Sequence, residues 1–195
     1  MQLVQETAYA ATELPVADLS AYLRLSSGFP DDGSEDARLQ ALLAAAVETI
    51  EARLSLVLLE RRFRWRTERW SNPASVVLPV APVRQVDSVT MTDADGASNA
   101  VDPALWRLVP DDRTPRLQAR GACLPPIPPG GMAEVSFPAG FGPTWPDVPV
   151  DLRQAVVMLA ADWYDRPAGG SGVPIASDIL RLLQPYRRLR IGGAA

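Results

Sequence analysis

Residues 149–167 decide the fold and read P-V-D-L-R-Q-A-V-V-M-L-A-A-D-W-Y-D-R-P. Apolar side chains recur in this stretch at intervals of three and four residues, which is the spacing of one helix face. Pro149 suits the first helical position, and Pro167 stops the helix. Because apolar residues also flank this face, we predict a helix over residues 149–166 that other elements cover on several sides. The face consists of Leu152, Ala155, Val156, Leu159, Ala160 and Trp163.

Three further segments complete a predicted bundle of about four helices. Residues 14–25 are typical of a short helix, and residues 35–54 carry the apolar stripe of a longer one. A last helix is predicted over residues 175–186, where Pro185 ends or kinks it. A glycine- and serine-rich run at residues 168–172 separates this helix from the one before it.

The hydrophobic spacing changes to alternation at residues 61–70, R-R-F-R-W-R-T-E-R-W, which predicts a strand. Arg62, Arg64 and Arg66 then face one side of this strand, and the residues Phe63 and Trp65 face the other. Further strand candidates lie at residues 75–80, 86–92, 105–109, 116–119 and 132–138.

These patterns predict an α+β fold in which a helical bundle carries an inserted β-rich subdomain. Residues 1–60 form the N-terminal helical part of the bundle, and their first 13 residues have no strong pattern and are interpreted as a surface arm. Residues 61–145 form the inserted subdomain. Residues 146–195 supply the C-terminal helices and a basic tail that complete the bundle.

The composition argues against several functions. The net charge of −4 gives no general case for binding nucleic acid or a membrane surface. All 19 basic residues are Arg, so histidine acid–base catalysis, histidine metal ligands and a lysine Schiff base are excluded. No apolar run reaches the ~20 residues of a membrane span, and the N-terminal residues lack the pattern of a signal peptide. The single cysteine, Cys123, fits a reducing cytoplasmic origin.

Two motifs resemble functional sites but are incomplete. Asp93-x-Asp95-Gly96 matches the start of a calcium loop, yet Ala97 and Ala104 occupy positions that would need ligands, so a hairpin turn is the better interpretation. Cys123 has no histidine to act as its base. We therefore predict no catalytic, cofactor-binding or metal-binding residues. Asp162 and Asp165 are interpreted as members of solvated or intersubunit ion pairs.

Two arginine-rich segments remain open to more than one interpretation. The strand with Arg62, Arg64 and Arg66 could contact nucleic acid, because aromatic residues alternate with arginine there. An amphipathic strand with outward arginines, or a subunit interface of this kind, is favoured. The C-terminal segment with Arg187, Arg188 and Arg190 either only aids solubility or orders on a partner.

Three stretches, taken in chain order, carry a resemblance to a known family. The first is L-P-V-A-D-L-S-A-Y-L-R-L at residues 14–25, followed by D-A-R-L-Q-A-L-L-A-A-A-V-E-T-I-E-A-R-L and then by R-R-F-R-W. The second is V-P-V-D-L-R-Q-A-V-V-M-L-A-A-D-W-Y-D-R-P at residues 148–167, and the third is I-L-R-L-L-Q-P-Y-R-R at residues 179–188. Together they resemble the head–tail connector (adaptor) family of long-tailed bacteriophages and phage-derived gene transfer agents.

The resemblance implies a structural virion protein without enzymatic activity or cofactor. Such adaptors assemble in the host bacterial cytoplasm and form a ring, usually a dodecamer, below the portal protein. The ring bridges the portal to the next neck or tail-completion (stopper) protein and leaves a channel through which DNA passes without specific binding. C-terminal segments of the family contact the portal. That assigns portal binding here to Tyr186, Arg187, Arg188, Leu189, Arg190 and Ile191, which we call the tail.

Two other classes of function are weighed against the adaptor. A nucleic-acid-binding packaging factor would use the arginine-rich strand or the tail, and it predicts salt-sensitive DNA binding. An enzyme would need two converging carboxylates in a pocket, and the sequence offers no such spacing.

Overall fold

The computed structural model describes residues 1–25, 34–166 and 175–187. The α-helices are α1 (Val16–Leu23), α2 (Ser34–Leu54), α3 (Val150–Asp165) and α4 (Ser177–Leu183). The strands are β1 (Gln2–Gln5), β2 (Arg61–Thr67), β3 (Ser75–Val77), β4 (Ser88–Thr92), β5 (Ser98–Ala100), β6 (Trp106–Val109), β7 (Arg116–Ala119) and β8 (Met132–Ala139). Short 3₁₀ turns occupy Ala11–Glu13, Pro103–Leu105, Trp145–Asp147 and Gln184–Tyr186. The predicted α+β class is therefore confirmed.

The chain forms two compact units. The first, called the β unit, contains Met1–Tyr9 and Ser55–Pro143. The second, called the helical unit, contains Ala10–Leu54 and Thr144–Ala195.

The β unit contains two antiparallel sheets around one core. A five-stranded sheet has the order β1-β2-β8-β4-β5, and a three-stranded sheet has the order β3-β7-β6. Strand β8 lies in the middle of the larger sheet, where Phe137 is opposite Phe63 and Val135 is opposite Trp65. These side chains share a buried cluster with Leu117 of the smaller sheet. Alternation along each strand explains this arrangement, because one face of each sheet is apolar and is buried against the other sheet.

The helical unit is organised around α3, which contacts α1, α2 and α4. Five residues of the predicted apolar face are buried, with Leu152, Ala155 and Ala160 fully inaccessible, whereas Trp163 at the end of the face is only partly buried. Val157 and Ala161, outside that face, are also buried, as expected for a helix covered on several sides. The observed helix is one residue shorter at each end than predicted, because Pro149 is the N-cap and Arg166 the C-cap.

The structure corrects the account of the N-terminal residues. The sequence predicts a surface arm at residues 1–13, but Gln2–Gln5 form the strand β1, which pairs with β2. This segment has no alternating pattern that is visible in isolation, since of its four residues only Leu3 is partly buried. The short strand β5 was missed for the same reason, because all three of its residues are exposed.

Several other predicted boundaries also shift. The strand predicted over residues 61–70 ends at Thr67, and those predicted over 75–80 and 86–92 shorten to β3 and β4. The predicted last helix divides into α4 and the 3₁₀ turn that contains Pro185, since proline cannot donate the next helical hydrogen bond. The glycine- and serine-rich run at residues 168–172 lies outside the described residues.

Gly140 provides a direct test of packing in the β unit. It has φ = +143°, and a Cβ atom there would lie 2.5 Å from Glu60 Cα and 2.6 Å from Glu60 N. We expect Gly140→Ala to lower the free energy of unfolding by about 2–3 kcal/mol, because both the backbone conformation and the contact are unfavourable. Gly121→Ala is the control, since a Cβ there meets nothing within 4 Å. Chemical denaturation that gave equal stabilities for the two variants would contradict this packing.

Candidate assembly surfaces

The outer face of the five-stranded sheet carries a row of arginines. Strand β2 alternates as predicted, with Phe63 and Trp65 buried and Arg62, Arg64 and Arg66 directed away from the core. We call these three arginines the arginine face. Arg61, on the buried side of the same strand, stacks its guanidinium over the rings of Tyr9 and Phe63, at 5.2 and 5.7 Å from their centroids.

Carboxylates from three other parts of the β unit pair with the arginine face. Arg62 Nη1 lies 3.0 Å from Asp87 Oδ2, and Arg66 Nε lies 2.7 Å from Glu134 Oε2. Arg64 forms an ion pair with Glu6, and its Nε is also 3.4 Å from Glu134 Oε1. Sequence reasoning missed these partners, because only the register of β2 with β1 and β8 brings Glu6 and Glu134 beside the arginines.

The exposure of these side chains determines what the surface presents. The arginine side chains are 38–58% exposed, whereas those of Glu6, Asp87 and Glu134 are 23–27% exposed. The arginine side chains are thus more exposed than the carboxylates that pair with them. A guanidinium group has five N–H donors, so donors remain for acceptors on another molecule. Three carboxylates for three arginines leave little net positive charge, which weakens the case for phosphate binding at this face.

The start of the tail is held by a side-chain hydrogen bond. Tyr186 Oη donates to Asp151 Oδ1 at 2.7 Å, and the same carboxylate oxygen accepts from the N–H of Leu152 at 3.1 Å. The half-buried Tyr186 therefore sits beside the first turn of α3, and Arg187 after it is exposed. The rest of the predicted tail, Arg188, Leu189, Arg190 and Ile191, lies outside the described residues.

The motif that resembled the start of a calcium loop forms a turn. Asp93 Oδ1 accepts from the N–H groups of Asp95 and Ala97, at 3.0 and 2.9 Å, in the turn that joins β4 to β5. Gly96 has φ = +86° in this turn, so the hairpin interpretation is confirmed. Cys123 is exposed, and Asp162 pairs with Arg166 on its own helix.

Two findings concern only the described part of the chain. No group of three or more acidic, histidine or cysteine side chains there is placed to hold a metal ion. No helix in the same ranges is both long and apolar enough to cross a membrane.

Comparison with known proteins gives matches among solved structures. A chain in the neck of an empty GTA particle, computed with C6 symmetry, is 42% identical to this one with a TM-score of 0.91. Chains in the virion of a native gene transfer agent (GTA) particle and in the neck of a native GTA particle, computed with C12 symmetry, are 43% and 39% identical, with TM-scores of 0.87 and 0.84. Each alignment covers 100% of this chain and 99% of the other. No family model and no curated protein matches the chain.

Identity of 39–43% over alignments of this extent, together with a shared fold, places the protein in a defined class. It is a structural component of a virion-like particle. More specifically, the chain belongs to the family of gene transfer agent neck proteins.

Proposed function

We propose that this chain is the head–tail adaptor of a gene transfer agent. In this proposal identical copies form a ring, a dodecamer, directly below the portal protein. The ring joins the portal to the next neck or stopper protein and surrounds the channel through which DNA leaves the head. The ring assembles in the cytoplasm of the host bacterium and has no catalytic role.

The observation that carries the proposal is the likeness over the full chain to a chain in the neck of a GTA particle, at a TM-score of 0.91. A ring of copies is supported by the C12 symmetry with which one such neck was computed. Cyclic rings need two different complementary surfaces on each copy, so that each subunit offers one surface to each neighbour.

The arginine face is the proposed subunit interface. Its guanidinium groups form ion pairs with carboxylates that already balance their charge, so a neighbour can bind by hydrogen bonds without a large unpaired charge being buried. Arginine suits this role because its planar group pairs with carboxylate or carbonyl oxygens in two-point geometry.

The tail, residues 186–191, is the proposed contact with the portal. Tyr186 is fixed to the first turn of α3 by its bond to Asp151, so the proposed contact segment begins at a defined position on the helical unit. Three arginines and two apolar residues after that point can supply both charge and apolar contact to a partner.

A nucleic-acid-binding packaging factor is the alternative function. It would require cations free to neutralise phosphates, and the carboxylates beside Arg62, Arg64 and Arg66 reduce that capacity. The net charge of −4 weighs in the same direction. We therefore favour an adaptor whose channel lets DNA pass without specific binding.

Native mass spectrometry of the purified chain, alone and mixed with its portal protein, tests the proposal. We expect a complex with many copies of the chain in the presence of the portal, with a mass corresponding to a closed ring. Salt-sensitive binding of DNA by the free chain, with no association in either sample, would favour the packaging factor instead.

A further inference from the structure

One edge of the five-stranded sheet, at β1, has unpaired backbone groups. The N–H of Glu6 donates to the carbonyl of Arg62 at 2.8 Å, and Val4 lies opposite Arg64 in the same register. Inward and outward hydrogen bonding alternates along an antiparallel strand, so Gln2 and Val4 bond to β2. The N–H and C=O groups of Leu3 and Gln5 therefore point away from the sheet, and β1 has no second neighbour among the described strands.

The opposite edge, at β5, also has backbone groups that point away from the sheet. The N–H of Asp93 donates to Ala97 at 3.0 Å, and the N–H of Val101 donates to Val89 at 2.8 Å. By the same alternation, Ser98 and Ala100 direct their N–H and C=O groups away from β4. Each edge therefore offers the backbone groups of two residues.

Neither edge has the features that usually prevent edge-to-edge pairing. Natural sheets protect open edges with charged residues, proline or bulges. β1 consists of Gln-Leu-Val-Gln and β5 of Ser-Asn-Ala, so neither strand contains a charge or a proline. Both edges are therefore competent to accept another strand.

We infer that β1 of one copy pairs with β5 of the neighbouring copy, so that the large sheet continues from subunit to subunit around the ring. This inference rests on the ring in the proposed function and identifies one of its contacts. The two edges are different surfaces, as a head-to-tail contact between identical copies requires. Pairing them also removes the open edges from the assembly.

The strand directions determine the kind of pairing. In an antiparallel sheet of five strands the first and last strands run in the same direction, so β1 and β5 do so here. Rotation about a ring axis carries the strand directions of one copy into those of the next. The junction between β5 and the β1 of the neighbouring copy is consequently parallel.

The outward groups of the two edges match in a parallel register. With Leu3 opposite Asn99 of the neighbour, the Leu3 N–H donates to the Ser98 carbonyl and the Ala100 N–H donates to the Leu3 carbonyl. The Gln5 N–H then donates to the Ala100 carbonyl. All the groups used are ones that the sheet of each copy leaves unpaired.

The same register also matches the faces of the sheet. Val4 lies in line with Arg64, and Ala100 lies in line with Thr90 and Glu134, so both are on the arginine face side. Asn99 is opposite the buried Met91, and Leu3 is opposite the buried Trp65, so both are on the core side. A shift by one residue would satisfy neither the hydrogen bonds nor the faces.

Cysteine crosslinking in assembled rings tests this contact. We would introduce Val4→Cys and Ala100→Cys together in a Cys123→Ser background, form the ring with portal protein, and oxidise it. Four strand spacings, about 19 Å, separate these positions within one copy, which is too far for a disulfide. We expect covalent multimers on a non-reducing gel from the double variant, and monomers from each single variant.

Pairing can also be tested without new cysteines. Gln5→Pro removes one outward N–H and leaves the bonds from β1 to β2 intact, whereas Gln5→Ala removes only the side chain and is the matched control. We expect Gln5→Pro to raise the concentration needed for ring formation at least tenfold, and Gln5→Ala to behave as wild type. This pair of variants tests the pairing of β1 with β5 even if the cysteine variant does not assemble.

The two proposals fail in different ways. Rings of normal mass without covalent multimers, or rings unaffected by Gln5→Pro, would overturn the edge pairing and leave the adaptor intact. If the wild-type chain forms no ring with the portal under any condition, the proposed function fails and the edge pairing fails with it.

Discussion

Replacement of Ala160 by aspartate in α3 is expected to unfold the helical unit. Ala160 is fully inaccessible to solvent and lies in the C-terminal half of the helix that contacts α1, α2 and α4. A carboxylate there would be buried without a partner and would have no room in the packed interior, so we expect a loss of about 3–5 kcal/mol or more. That is a large share of the stability of an ordinary domain. Thermal unfolding followed by circular dichroism provides the measurement.

Val150→Asp is the matched control for this change. It introduces the same carboxylate into the same helix, but Val150 is 70% exposed and lies in the first turn, where a negative charge suits the helix dipole. We expect its melting temperature to remain within a few degrees of wild type. A soluble Ala160→Asp protein that melts at the wild-type temperature would refute the placement of α3 at the centre of the helical unit.

Deletion of residues 187–195 is expected to abolish attachment to the portal without unfolding the chain. The deletion begins after Tyr186, so the bond from its hydroxyl to Asp151 is retained, as are the buried side chains of α4, Ile179 and Leu183. Under the proposed function the deletion removes most of the portal contact. We expect portal affinity to fall at least 100-fold, with an unchanged unfolding transition.

A shorter deletion separates the contribution of the tail from that of the chain end. Removal of residues 192–195 leaves Tyr186 to Ile191 in place, and we expect this variant to bind the portal as wild type does. Co-sedimentation with the portal, at equal concentrations of the two truncated proteins, makes the comparison. Full attachment by the longer deletion would refute the assignment of portal binding to the tail.

The helical elements could be predicted well from the sequence, because the spacing of apolar residues in a long amphipathic stretch indicates both the helix and its buried face. The apolar face that contains Leu152 and Leu159 is buried in α3 as the spacing predicts, except for the partly buried Trp163. Strand β2 was equally clear, since arginine alternates with Phe63 and Trp65 over the whole strand. Such a periodic pattern can be recognised without knowing which element packs against it.

The sheet edges could not be predicted in the same way. β1 and β5 are short and mostly exposed, so they have little apolar pattern, and they are strands only because β2 and β4 pair with them. Because β1 has so little apolar pattern, the sequence gives no reason to separate it from the helical residues 14–60. The N-terminal strand instead joins the β unit, whose segments are distant in sequence.

In the candidate surfaces, too, some features could be predicted from a local pattern and others could not. The direction of the arginine face followed from alternation along one strand, but its ion pairs with Glu6, Asp87 and Glu134 depend on the register between strands. The bond from Tyr186 to Asp151 joins residues 35 positions apart, and no local pattern in the sequence indicates it. Contacts of this type become visible only after the elements are assembled.

Electron cryomicroscopy of purified particles that contain this chain tests the central claim most directly. We expect the neck to contain a closed ring of copies of the chain in contact with the portal, with residues 186–191 at that contact and the DNA channel along the ring axis. Particles in which the chain lies outside the neck, or occurs there as single copies that do not touch the portal, would contradict the assignment of this chain as the adaptor.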